Sequence, residues 1–287
     1  MAAAVTKYTL ASRVELADGR TMPRIQLGLY MVSRSEARAA VSAGLAVGYR
    51  GFDCAQMYHN EAEAGTALRD AISAGQVTRD DIFYTSKLAE NRASYNAVRA
   101  SIRRSVAACQ LGYIDLFLLH SPYGGPAARW ASWRAVEDAI RDGEVRSGGV
   151  SNFGPRHVDE LMAHPDLRIK PVVNQIEAHP FNTREDIRAA CARHGIVVEA
   201  YAPLVRGMRM RHPVITALSN QYKCTPAQLL VRWSLQHGMV PLPKSVRKAR
   251  MEENASINGF EISSTDLAKL DALDEHLVTD WDPTDTD

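Results

Sequence analysis

The chain predicts a closed α/β fold, a (β/α)8 TIM barrel entered through an N-terminal β-hairpin and followed by one extra C-terminal helix. Three observations predict it. Eight short apolar runs of strand length recur along 287 residues, amphipathic segments with helical spacing separate them, and no G-x-G-x-x-G loop marks the start of an open doubly wound sheet.

The hairpin comes first, its turn marked by ADGR around Asp18 and Gly19. The strand-like runs then follow as RIQLGL, YRGFD, IFYTSK, IDLFLLH, RSGGVS, PVVNQIE, IVVEAY and MVPLPKS. Between them, SRSEARAAVSAGLAVG, NEAEAGTALRDAISAG, SYNAVRASIRRSVAACQLG and TREDIRAACARHG carry apolar residues at helical spacing, each running into a glycine that can close a helix. The extra helix is expected from Phe260 to Leu273, and VTDWDPTDTD after it reads as a polar tail, loosely held. No linker-like stretch or fixed-period repeat interrupts this rhythm, so residues 1–287 read as one domain.

Composition excludes several functions. Lysine plus arginine number 34 against 33 aspartate plus glutamate, and a net charge of +1 gives no reason to expect nucleic acid or an anionic membrane as partner. Cys54, Cys109, Cys191 and Cys224 are scattered without a C-x-x-C pair, which argues for reduced thiols rather than a zinc site or disulfide framework. MAAAVTKYTL lacks a signal-peptide pattern, and no window reaches the roughly 18 apolar residues of a membrane span, so a cytoplasmic monomer acting on a small molecule is the expectation.

In such a barrel, chemistry gathers at the C-terminal ends of the strands. The second run ends in Asp53 with Tyr58 in its loop, the third ends in Lys87 and the fourth in His120. A lysine closing an apolar strand is costly to bury alone, and Asp53 on the next strand is its natural partner. A cation beside a phenol lowers its pKa, so Lys87 is expected to make Tyr58 a better acid, with His120 holding or sharing a proton at the same oxygen. Together the four describe an acid built to protonate an oxygen.

At these residues the chain resembles the aldo-keto reductase superfamily. GFDCAQMYHNEAEAG, SKL, DLFLLHSP, GVSNF, VVNQIEAHP, AYAPL and PKSV followed by Arg250 and Glu253-Asn254 stand in the family's order and spacing over nearly the whole chain. The resemblance implies a catalytic tetrad of Asp53, Tyr58, Lys87 and His120 with Tyr58 as proton donor. It also implies NADPH/NADP+ bound without a Rossmann domain, its hydride reducing an aldehyde or ketone to an alcohol. It puts Ser151, Asn152 and Gln175 on the nicotinamide carboxamide and stacks Tyr201 under the ring. Leu204 and Val246 fall among the cofactor contacts, Lys244, Ser245 and Arg250 on the adenosine 2′-phosphate, and Glu253 and Asn254 on adenine.

The chain departs from the family on its substrate loops. LGLYM replaces a Gly-Thr-aromatic pattern, so Tyr30 is expected in the substrate pocket; Ser121 stands where tryptophan often follows the histidine; Val205-Arg206 precede Gly207. Tyr30, Ser121 and His120 are thus the substrate-side candidates, while Arg206, Arg209 and Arg211 read as a solvated loop or as contacts to an acidic substrate. Two other readings compete: an NADPH-binding regulatory or redox-sensing protein of the same fold, and a metal-dependent barrel enzyme using Glu177, His179 and Glu199. Residues Glu177 and His179 read first as structural, and no metal is expected.

Overall fold

A computed structural model describes residues 8–92 and 94–287. The hairpin pairs β1 (Arg13–Glu15) with β2 (Thr21–Pro23), Val14 opposite Met22, around a turn in which Gly19 takes φ 81°. Eight parallel strands follow: β3 (Leu27–Gly28), β4 (Gly51–Asp53), β5 (Phe83–Leu88), β6 (Ile114–Leu119), β7 (Val145–Ser151), β8 (Val173–Glu177), β9 (Val197–Tyr201) and β10 (Val240–Pro241). They lie side by side in chain order. A parallel bridge from Gly28 to Lys244, with Gly28 N–H donating to the Pro243 carbonyl (3.2 Å), joins the last strand's continuation to the first and closes the barrel.

The helices α1 (Arg34–Val47), α2 (Glu61–Ser73), α3 (Tyr95–Cys109), α4 (Gly125–Arg141), α5 (Pro155–Met162) and α6 (Glu185–Arg193) each follow one strand. Between β9 and β10 the chain makes two helices, α7 (Pro213–Tyr222) and α8 (Pro226–Gln236). Lys223 in the left-handed conformation ends α7. Thr225, its side chain accepting from the Gln228 amide (3.2 Å), starts α8 with Pro226 in its first turn. Helix α9 (Lys248–Ala255) completes the ring, and the expected extra helix is α10 (Ser264–Asp271), capped by Ser263.

Period-two alternation decides what the barrel encloses. On β6, Leu116 and Leu118 belong to an inner apolar cluster with Phe83, Val173 and Val240, while Phe117 and Leu119 join the larger cluster under the helices. Leu16 and Met22 of the hairpin belong to the inner cluster too, so the hairpin plugs the barrel at the strands' N-terminal ends. By the same parity Asp53, Lys87, Gln175, Glu177, Glu199 and Tyr201 point inward at the opposite end. Cys54, Cys109 and Cys191 are buried free thiols and Cys224 is half-buried. No helix among the described residues is long and apolar enough to cross a membrane.

The tail corrects the sequence reading. Instead of lying loose, it is strapped across the strands' C-terminal end: Thr279 N–H and Oγ1 donate to Glu177 (2.9 and 2.5 Å), and Arg184 pairs with Asp282 (2.6 Å). Arg206 pairs with Asp280 (3.2 Å), and Arg156 donates to the Thr286 carbonyl (2.6 Å). Its polar side chains are therefore partners of cations and carboxylates already on the barrel, which hydropathy alone does not register.

One close approach ties the helix ring together. A Cβ on Gly65 of α2 would overlap the Cys109 carbonyl at the end of α3. Gly65→Ala must push the two helices apart and should cost about 1–3 kcal/mol; thermal denaturation should show a lowered Tm, and an unchanged one would mean that the contact is not close-packed.

Candidate active site

The rim gathers its polar residues around one ammonium. Lys87 Nζ, fully buried, donates to both Asp53 carboxylate oxygens (2.7 and 2.8 Å), to the Cys54 carbonyl (3.0 Å) and to Tyr58 Oη (2.9 Å). Strands β4 and β5 supply the ion pair, and a single 3-10 turn, Gln56–Tyr58, swings the phenol back over it. Gln56 pins this turn, its Nε2 reaching Ser105 Oγ (2.9 Å) and its Oε1 accepting from the Ala89 amide (2.9 Å).

Electrostatics differ here from the sequence expectation. Burial, with the negative charge of Asp53 next, pushes the Tyr58 phenol well above its ordinary value rather than below it. Lys87 is close enough to lower it, but two short bonds to Asp53 balance its charge. Tyr58 therefore stays protonated. His120 does not share a proton with Tyr58: no hydrogen bond joins them among the described residues, the rings meet edge-on at 5.9 Å, and Nδ1 has no partner. Burial and the nearby Lys87 push the imidazole down to about 3, so it is neutral.

The four residues expected at a nicotinamide form one bonded patch beside this centre. Ser151 Oγ donates to the Gln175 carbonyl (2.9 Å), Asn152 Nδ2 donates to the His120 carbonyl (3.0 Å), and Tyr201 Oη donates to Asn152 Oδ1 (2.8 Å). Asn152 sits in the left-handed region at φ 59°, and Gly154 is the N-cap of α5. Gln175 Nε2 is turned into the barrel, donating to Asp53 Oδ1 (2.9 Å) and Glu199 Oε2 (2.8 Å), which leaves its Oε1 for the rim.

Beyond the barrel seam, Lys244, Val246 and Arg250 are exposed, Ser245 and Asn254 buried, and Glu253 half-buried. Ser245 Oγ accepts the Arg247 amide (3.0 Å) at the start of α9, a helix whose N-terminus has no side-chain cap. Among the described residues neither Lys244 nor Arg250 is ion-paired. Leu204 is half-buried against the outer core, in a loop where Ala202, Val205 and Arg206 all take positive φ.

On the substrate side, the Tyr30 ring lies 5.1 Å from Tyr58. Ser121 is buried, and its carbonyl accepts from Asn91 (2.6 Å). Trp281, which the sequence reading left in the tail, stands 6.0 Å edge-on to His120 and 5.7 Å from Tyr123. An indole in an otherwise polar tail was the available signal, since so large an apolar surface is seldom left in water. Arg206 pairs with Asp280 (3.2 Å) and Arg209 with Glu275 (2.8 Å). Glu177 and His179 bond each other (3.0 Å) and do not converge with Glu199; among the described residues no group of three His, Cys, Asp or Glu is placed to hold a metal.

Known proteins repeat this arrangement of sequence and fold. The model of the Aldo/keto reductase family matches residues 24–275. An uncharacterized oxidoreductase of Schizosaccharomyces pombe is 45% identical over 96% of this chain and 98% of its own length. Glyoxal reductase of Bacillus subtilis is 38% identical over 93% of this chain and 94% of its own. The aldose reductase of Schistosoma japonicum has the same fold, with a TM-score of 0.86 at 33% identity, covering 92% of this chain and 93% of that one. With its eight-stranded closed barrel and a family match from β3 to beyond α10, the chain belongs to the Aldo/keto reductase family of oxidoreductases.

Proposed function

We propose that this protein reduces an aldehyde or ketone to an alcohol, with NADPH as hydride source and Tyr58 as proton donor. The observation that carries the reading is the buried Lys87, bonded at once to Asp53 and to Tyr58 Oη. A carbonyl oxygen placed against Tyr58 Oη would receive the phenol's proton as negative charge builds on it. Lys87 would then hold the phenolate left behind, and Asp53 keeps Lys87 aimed. Neutral His120, Tyr30 and Trp281 border the same oxygen and would orient the carbonyl and exclude water, with Ser121 at the pocket's edge. The relative named glyoxal reductase supports an aldehyde among the substrates.

The rim fits a nicotinamide dinucleotide. Gln175 Oε1, with Ser151 and Asn152, offers groups for a carboxamide, and the Tyr201 ring is fixed beside them through Asn152. Leu204 and Val246 would border the cofactor. Lys244, Ser245 and Arg250 around the uncapped start of α9 suit a phosphate, and Glu253 and Asn254 suit adenine. Bound there, NADPH would supply the hydride that the carbonyl carbon accepts.

Steady-state NADPH oxidation with a panel of aldehydes tests the reading. Tyr58→Phe should keep fold and NADPH affinity, followed by fluorescence quenching, while single-turnover reduction slows by ~10²–10⁴-fold; reduction near the parent rate would move the proton source elsewhere. Arg250→Ala should raise KM for NADPH and barely alter NADH use, since the charge-assisted bonds to a 2′-phosphate are worth about 1.5–3 kcal/mol each. Equal use of both cofactors by the parent would sink that assignment. A chelator should leave turnover unchanged; activity lost to it and restored by zinc would favour the metal reading.

A further inference from the structure

Behind the ion pair lies a second buried carboxylate that the reduction described above does not use. Glu199 on β9 is fully buried, its Oε1 accepting from Gln26 Nε2 (2.7 Å) and its Oε2 from Gln175 Nε2 (2.8 Å). The same Gln175 Nε2 donates to Asp53 Oδ1 (2.9 Å). One unbroken run of hydrogen bonds therefore joins Gln26, Glu199, Gln175, Asp53, Lys87 and Tyr58. Gly51 makes room for it, because a Cβ there would lie 2.5–2.9 Å from three atoms of the Gln26 side chain.

Charge in this run does not balance if every group ionises. Lys87 is the one cation in it, facing the carboxylates of Asp53 and Glu199. The register neighbours of Glu199 are Gln175 on β8 and Val240 on β10, neither of them charged, and the residue before β3 is the neutral Gln26. Gln26 Oε1 is buried with no partner, and a half-turn of that amide would set it against Glu199 as the acceptor for a proton.

Resting on the reading that Tyr58 is the acid, we propose that Glu199 is a positioning residue that sets the charge behind it. Protonated, it leaves Asp53 as the sole counter-charge of Lys87; ionised, it adds a second negative charge through Gln175 and weakens proton donation from Tyr58. Burial, followed by the charge of Asp53, pushes the Glu199 carboxyl up to about 8, with Gln175, Lys87 and Gln26 pulling the other way. Because the folded-state value lies above the ordinary carboxylate one, the stability that Glu199 contributes is full below the ordinary value and is lost as pH rises toward about 8.

The test compares the parent with Glu199→Gln, in kcat for aldehyde reduction by NADPH from pH 6 to 9.5 and in Tm over the same range. The parent kcat should fall by about three- to tenfold through a midpoint near 8. Glu199→Gln should match the parent at pH 6, lack that fall, and lose the accompanying decline in Tm. Gln26→Met removes the amide that serves the carboxylate in either state and should displace the parent midpoint, which decides the matter if Glu199→Gln does not fold. An unshifted fall in either variant, or a Glu199→Gln rate reduced equally at every pH, overturns the proposal while leaving Tyr58 as donor. A parent that fails to oxidise NADPH whichever carbonyl is supplied removes the functional reading, and with it the effect on Tyr58, whatever the Tm slopes show.

Discussion

Burying one ammonium at the open end of the barrel is the constraint from which the rest of the site follows. Lys87 has no exposed surface, and breaking such a pair by removing one partner typically costs about 3–5 kcal/mol. One N–H shared between the two Asp53 oxygens and one given to the Cys54 carbonyl take two of its three donors, and the third fixes where Tyr58 Oη sits. The barrel in turn fixes the pair. Asp53 lies opposite Thr85 and Lys87 opposite Leu118, and a one-residue slip would turn these side chains out beneath the helices.

That dependence explains the electrostatics. A free lysine beside a phenol would make it more acidic, but a lysine already neutralised by aspartate leaves burial as the dominant influence. The site at rest is consequently a loaded donor next to a neutral imidazole. In the proposed reaction, charge separation would be deferred until a carbonyl oxygen begins to carry charge of its own, which is when a preorganised cation is worth most.

Much of this was legible in the sequence, for reasons that can be named. The eight runs and their helices were readable because inner and outer faces impose different periods, and Asp53, Lys87 and His120 because each polar residue interrupts an apolar run at its last position. The direction of the Tyr58 shift was not readable, since it depends on how completely Asp53 engages Lys87 in three dimensions. The double helix between β9 and β10 was hidden by a connection of a few residues at Lys223–Thr225. The tail was misjudged because its partners, Glu177, Arg184, Arg206 and Arg156, lie far away along the chain. Trp281 reaches His120 only through those attachments.

Apolar side chains and the hairpin fill the lower barrel, while polar groups and connecting loops occupy the upper end. Cohesion and chemistry are thereby kept in separate storeys of one cylinder. Tyr30, Tyr123 and Trp281 can drift, or be randomised in a laboratory library, without disturbing the lower floor on which folding rests. Substrate range is in this sense a replaceable coating on a separate foundation, and new catalysts can be drawn from the chain by altering its ceiling alone.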